Sequence, residues 1–527
     1  MRLSGGASGT RRLATHCVSF GQRLVQSWPR DPITLVGMAN RLLILAIIPA
    51  VALVACDSPS PTNSSANPAL PPAAVDPAPT TSAIANAVDP IIRRALTDEG
   101  IPGAAFVFVH GNQVIYAQGY GMADKERRVA VDVERTVWPI ASVTKLFTGV
   151  AALQLVDSGD LGLDEDINRY LRQLTVPAQG YPPITLAHVL SHTSGLDELP
   201  GRQFDPDKGP RPSLGEFLKN RLVRYRAPGL YTAYSSYGMA LAGVAIEDAS
   251  GLPYDEFVRR RILEPCGMTS ARIMQRRGDE QGVATPYAIE DGHAAPIPHE
   301  WYVTTPTSSL VASATDMARF ALLHLADGRC KDRQILSESM ARSMRAQHAT
   351  IHPAVPGWGY AFQLDVDNGR HLAEHGGDIG GFSSLLTLIP EERSAFFIVN
   401  HGEGNDLRFR VKRALLDALY PGPQAHPVPK ADPAKAPGLR EYEGRYRSSL
   451  ACHTCRDVDP EQDFEVAVRT DGVLELWGQE WLPLERDLFV RADGERLLGF
   501  ARDSPDHVAV VSGGSWRVAD RLIEGKP

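Results

Sequence analysis

Apolar residues are spread unevenly along the chain, and the period at which they recur changes several times. Leu42 to Ala55 is a continuous apolar run, too short to span a bilayer comfortably but suited to the core of a signal peptide. From Asp57 to about Ala85 the chain is Pro, Ser, Ala and Thr with almost no large apolar residue, which predicts a disordered tether. Asp89 to Glu99 has the spacing of an amphipathic helix. Ala104 to His110 and Gln113 to Gly119 alternate as two strands around Gly111-Asn112, an antiparallel hairpin. After Pro139 the period becomes helical: Phe147, Val150, Ala151, Gln154 and Leu155 share a face, and Gly159 is a stop. Helices are predicted over Met239–Ala249 and Tyr254–Leu263, and again over Met317–Leu325 behind the cap Ser313-Ala314-Thr315-Asp316. Phe382–Ile389 and Ala395–Val399 read as buried strands parted by Pro390-Glu391-Glu392, and Leu407–Leu419 as a last helix.

Helices flanked by terminal antiparallel strands predict an α+β domain, an antiparallel mixed sheet with helices on its faces. It spans residues 87–420. A Pro/Ala-rich linker follows at 421–437. Beyond it, 438–527 holds short runs separated by turns, such as Phe464–Arg469, Val473–Trp477 and Trp481–Leu484, with the hairpin signal Asp471-Gly472. That pattern predicts a small all-β barrel. Upstream, 1–55 reads as a leader and 56–86 as the tether.

Composition adds the compartment. The 54 Lys+Arg against 62 Asp+Glu give a net charge of −8, with no basic cluster interleaved with aromatics, so nucleic acid is not an expected partner. Leu53-Val54-Ala55-Cys56 resembles the lipobox of bacterial lipoproteins, which implies a lipid on Cys56 and a membrane as partner. An ordinary secretory signal and an organellar presequence are the rival readings. Losing 1–55 removes six arginines and one aspartate, which takes the charge from −8 to −13. Of six cysteines, Cys17 and Cys56 belong to the leader. Cys266 and Cys330 read as isolated and buried rather than paired. Cys452-His453-Thr454-Cys455 reads as a local disulfide in an exported protein, with redox chemistry as the alternative.

Candidate chemistry begins at Ser142-Val143-Thr144-Lys145. Residues three apart on a helix are neighbours, so the spacing sets an amine beside a hydroxyl at the positive end of a helix. A serine hydroxyl attacks poorly until a base takes its proton. Two further stretches stand out. Pro228 to Gly238 sets Tyr234 in a turn before a helix. His375-Gly376-Gly377-Asp378 sets a histidine and glycines before a buried strand. His188 and His192, four apart, lack the intervening Glu of a zinc helix and read as structural.

These three motifs, in this order, resemble the serine β-lactamase and penicillin-binding superfamily, in its branch of class C β-lactamases, D-alanyl-D-alanine peptidases and esterases. His192-Thr193-Ser194-Gly195-Leu196 and Glu264-Pro265-Cys266-Gly267-Met268 extend the resemblance, which runs from about Asp89 to Tyr420. It implies an acylated nucleophile at Ser142, its activating partner at Lys145, a proton relay at Tyr234, and His375 in the place of the K-T-G lysine. It implies an oxyanion hole from the backbone N–H groups of Ser142 and Asp378. It also implies no metal or organic cofactor. Gly376 and Gly377 would let substrate lie against the strand edge. Two adjacent cations would lower the tyrosine pKa from its usual value near 10.

Two departures bear on substrate. Ser236 stands where this family usually binds the substrate amide with Asn, and Asp378 adds a negative charge. The expected function is a serine hydrolase of the cell envelope acting through an acyl-enzyme on small-molecule or peptide esters and amides, simple esters ahead of β-lactams. The alternative is a receptor that binds, or is acylated by, peptidoglycan fragments or β-lactams without turnover. Leu439 to Tyr446 resembles the start of the lipocalin-like barrels appended to some members.

Overall fold

Both faces of the central sheet are apolar, and this decides where the helices lie. The computed structural model describes residues 78–422, 426–456, 462–504, 507–512 and 518–522. The leader, Cys56 and most of the tether lie outside them. Seven strands form the sheet: β1 (Gly103–His110), β2 (Gln113–Asp124), β3 (Val129–Ala130), β4 (Gln363–Asp367), β5 (Arg370–Ile379), β6 (Phe382–Ile389) and β7 (Ser394–His401). Their order is β4-β5-β6-β7-β1-β2-β3, antiparallel throughout.

On β1, Ala104, Phe106 and Phe108 pack with Ile84, Val88 and Ile92 of helix α1 (Thr81–Asp98). Leu407, Val411 and Leu415 of the last helix (Leu407–Leu419) join the same layer. Ala105, Val107 and Val109 face the other way, toward the helix Ala314–Leu325, whose Phe320 stacks in turn on Phe147 of helix α2 (Thr144–Asp157). A strand covered on both sides needs no polar face. The alternation expected over Ala104–His110 is therefore absent: Gly103 to Val109 is buried throughout.

Three further features differ from expectation. Helix α1 starts at Thr81, eight residues before the amphipathic stretch, because Thr80 Oγ1 caps it by accepting from Ala83 N at 3.2 Å. Residues 81–86 are thus helix rather than tether, and Pro90 sits inside the helix. His375 lies within a ten-residue strand rather than in a loop before one. Cys266 and Cys330 are joined, with Cα atoms 5.0 Å apart. One closes the short helix Glu264–Cys266 and the other the strand Arg329–Cys330, so a contact between residues 64 apart is invisible in local spacing.

The C-terminal strands, from Gly444–Ser448 to Val518–Arg521, close into an eight-stranded barrel. Its seam with the larger domain is apolar: Tyr231, Ile351 and Val355 pack with Val473, Leu488, Val490 and Val511. Arg226 pairs with Asp520, and Arg496 of the barrel reaches buried Asp365 at 2.8 Å. The Cys452–Cys455 disulfide closes a turn around one carboxylate. Asp197, 1% exposed, accepts from the N–H groups of His453 and Thr454 at 2.8 Å each and from Thr454 Oγ1 at 2.6 Å. Hydrogen bonds to a charged acceptor contribute about 1.5–3 kcal/mol each. Asp197→Ala should therefore speed amide hydrogen exchange at His453 and Thr454 by roughly 10- to 100-fold, since each 1.4 kcal/mol is a factor of ten. Unchanged exchange would mean that the turn is held by the seam alone.

Candidate active site

Helix α2 is apolar on every side, with twelve of its fourteen residues buried, so it runs through the core rather than over it. Ser142 sits on the 3₁₀ turn Ala141–Val143 that leads into it. Ala141 takes φ +49°, a left-handed conformation unusual for a side-chain-bearing residue. The turn is fixed from outside. Ile140 N donates to Leu310 O at 3.1 Å, and Ser384 Oγ donates to Ile140 O at 2.9 Å. Lys145, one helical turn on, has no exposed surface. Its Nζ lies 3.0 Å from Ser142 Oγ and donates to Thr307 O at 3.1 Å.

Tyr234 enters from the turn before helix α3 (Ser236–Ser250). The Ser142 hydroxyl is a hydrogen-bond partner of its phenol, and Lys145 Nζ stands 4.8 Å from its ring centroid. His192 stacks on the tyrosine ring at 4.5 Å between centroids, and its Nδ1 accepts from Ser235 N at 3.1 Å. Ala233 N donates to His192 O at 2.6 Å. His188 instead accepts at Nδ1 from Thr185 N, within a helix cap. Both histidines are thus built into the scaffold. Glu198 caps α3, its Oε2 accepting from Ser236 N at 2.9 Å.

His375 comes from β5. Strand β4 begins opposite Glu374, so from His375 onward β5 has β6 on one side and, among the described residues, no strand on the other. That free edge passes beside the Ser142 turn. A Cβ on Gly377 would lie 2.5 Å from Ile140 O, which explains glycine there. A Cβ on Gly376 would meet only Ser384 O at 3.8 Å, leaving room at the edge. Asp378 is held by Arg408 at 2.6 and 2.8 Å, and Arg408 also donates to Gly377 O at 2.8 Å. The added negative charge is thereby neutralised by a buried guanidinium.

The electrostatics correct one expectation. Tyr234 is not lowered: burial above all pushes its pKa up past the usual value near 10, with Glu198 adding to the rise. The expected cations are not there to oppose this. Burial holds Lys145 well below a normal amine, and nearby Arg202 lowers it further. Burial likewise takes His375 down to about 3, with Lys145 contributing. Burial thus disfavours the charged form of both groups. A serine hydroxyl 3.0 Å from an uncharged amine can pass its proton to that amine as it attacks a carbonyl carbon. A protonated phenol bonded to the same oxygen can move a proton onward.

A cavity of about 170 Å³ opens beside these groups, walled by Ser142, Tyr234, Trp358, His375, Gly376, Gly377, Asp378 and Leu450. Leu450 belongs to the barrel's first turn, so the appended domain closes one side of the cavity. A larger groove near Asp124, Asp205, Arg277 and His299 contains none of the candidate residues. Ser236 is 2% exposed and is not on the cavity wall, because the chain has already turned into α3 with its N–H on Glu198. Ser236, expected to meet the substrate, thus lies off this cavity wall. Sequence reasoning missed Glu198, Thr307, Trp358 and Arg408. Arg408 alone left a trace: with Lys412 it places cations four apart beside the apolar stripe Leu407, Val411 and Leu415, and a charge there needs a buried partner.

Comparison with known proteins matches residues 88–420 to the β-lactamase family. Penicillin-binding protein 4 of Amycolatopsis lactamdurans is 30% identical over 377 residues, 66% of this chain and 95% of that protein. Protein flp of Staphylococcus aureus (strain MRSA252) is 24% identical over 59% of this chain, which spans 62% of that relative's length. The crystal structure of SurE is similar at a TM-score of 0.63 and 26% identity, covering 84% of this chain and 99% of that one.

Proposed function

Because this chain belongs to the β-lactamase family of serine hydrolases, we propose that it cleaves small ester or amide substrates through an acyl-enzyme on Ser142. One observation carries the reading: a wholly buried lysine amine, its charged form disfavoured by burial, lies 3.0 Å from the serine hydroxyl. Lys145 takes the Ser142 proton as Oγ attacks the substrate carbonyl carbon. The oxyanion is received by the N–H groups of Ser142 and Asp378. Tyr234 relays the proton to the leaving group, the carbon–heteroatom bond breaks, and water then hydrolyses the acyl-enzyme.

Simple esters are the preferred substrates, ahead of β-lactams. An uncharged His375 supplies no cation for the β-lactam carboxylate, and Ser236 is not among the residues that wall the cavity. A buried amide left unpaired costs about 1–3 kcal/mol. The expected outcome is brisk hydrolysis of p-nitrophenyl butyrate with weak nitrocefin turnover. Nitrocefin kcat/KM at or above about 10⁶ M⁻¹s⁻¹, within the range of efficient enzymes, would mean a true β-lactamase. The name of the Amycolatopsis lactamdurans relative favours one further reading, a receptor acylated by penicillin without turnover. A penicillin adduct that persists for hours while esters go uncleaved would support it.

The proposed location is the periplasmic face of a bacterial membrane, inner or outer, anchored by lipid on Cys56. Two disulfides support an oxidising compartment. Cys56→Ser should abolish globomycin-sensitive processing and release the protein from washed membranes. Continued membrane fractionation in high salt would put the anchor elsewhere.

A further inference from the structure

His375 has two ring nitrogens with different fates. Nδ1 lies 2.7 Å from Gly376 O. A carbonyl oxygen only accepts, so Nδ1 carries the proton and Nε2 presents a lone pair. Nε2 is buried and has no hydrogen-bond partner among the described residues. The residue is 3% exposed and stands on the wall of the cavity beside Ser142. A buried acceptor left without a donor is costly, which points to a donor supplied by whatever fills the cavity.

The rest of the wall agrees in sign. Arg408 is the one cation on it among the described residues, and two hydrogen bonds hold it to Asp378. Nothing free remains there to attract a carboxylate. Tyr234, Trp358 and Phe409 supply aromatic surface, which attracts ammonium groups and not anions. A lone pair and aromatic rings are together the surroundings of a nitrogen bearing hydrogens.

Resting on the reading of Ser142 as nucleophile, we propose that the substrate group seated against His375 is a hydrogen-bond donor, an ammonium or amide N–H. Amine-bearing acyl substrates are then preferred over carboxylate-bearing ones. His375 accepts from the substrate nitrogen at Nε2 and orients the acyl chain; it takes no proton in the reaction. This is the opposite polarity to a lysine at the same position.

The test compares the p-nitroanilides of alanine and of N-succinylalanine, with alaninamide and succinamate as competitive inhibitors of p-nitrophenyl butyrate hydrolysis. The wild type should favour the free-amine anilide in kcat/KM by at least tenfold and bind alaninamide the more tightly of the two inhibitors. His375→Lys should invert both orders. His375→Leu should weaken alaninamide tenfold, through KM-type effects, without strengthening succinamate. Circular dichroism checks that both variants fold. A wild-type preference for the succinyl substrate, or an order unchanged in both variants, would overturn the proposal. Calorimetry on Ser142→Ala separates the two readings, because it needs no turnover. Selective alaninamide binding there supports the donor assignment even if acylation fails, and equal or absent binding of both ligands sinks it while leaving the nucleophile untouched.

Discussion

Ser142→Ala should lower kcat/KM for p-nitrophenyl butyrate by about 10⁴ or more, as for nucleophile knockouts in serine hydrolases generally. The substitution removes one oxygen and leaves the turn intact, since Ile140 is anchored through Leu310 and Ser384 rather than through the Ser142 side chain. The fold and thermal stability should be retained. A residual activity within tenfold of wild type would move the nucleophile to another residue.

Lys145→Ala should cost about as much, and the double variant little more, because the two groups act as one unit. The pH dependence follows from the burial of the amine. Its pKa is held well below the ordinary value, so kcat/KM falls on the acid side as Nζ takes a proton. Glu198 sits within electrostatic reach and holds the amine's pKa up. Glu198→Gln should therefore move that acid limb to lower pH while also weakening the α3 cap. A profile flat through the acid range in the wild type would contradict a lysine base.

The serine–lysine pair was legible because it is local. Spacing of three on a helix start brings both groups together whatever the rest of the fold does, and the structure has them 3.0 Å apart. The sheet's apolar strands were legible for the same reason. Charge state was not legible. The expectation of two cations beside Tyr234 rested on residue type, whereas the structure buries Lys145 and His375 together, and burial disfavours the charged form of each. Asp378 read as an unbalanced charge because its partner, Arg408, is thirty residues away on the last helix. Leu450 read as a residue of a separate domain, and only docking of the barrel through Asp197, Asp365 and Asp520 brings it to the cavity. The Cys266–Cys330 link was lost in the same way.

The most direct test of the account is peptide mass mapping after brief treatment of residues 57–527 with an alkyl fluorophosphonate. The account predicts a single stoichiometric adduct on the peptide carrying Ser142, formed more slowly as the pH is lowered and absent from Ser142→Ala. An enzyme that cleaves p-nitrophenyl butyrate yet carries its adduct on another residue, or on none, would contradict it.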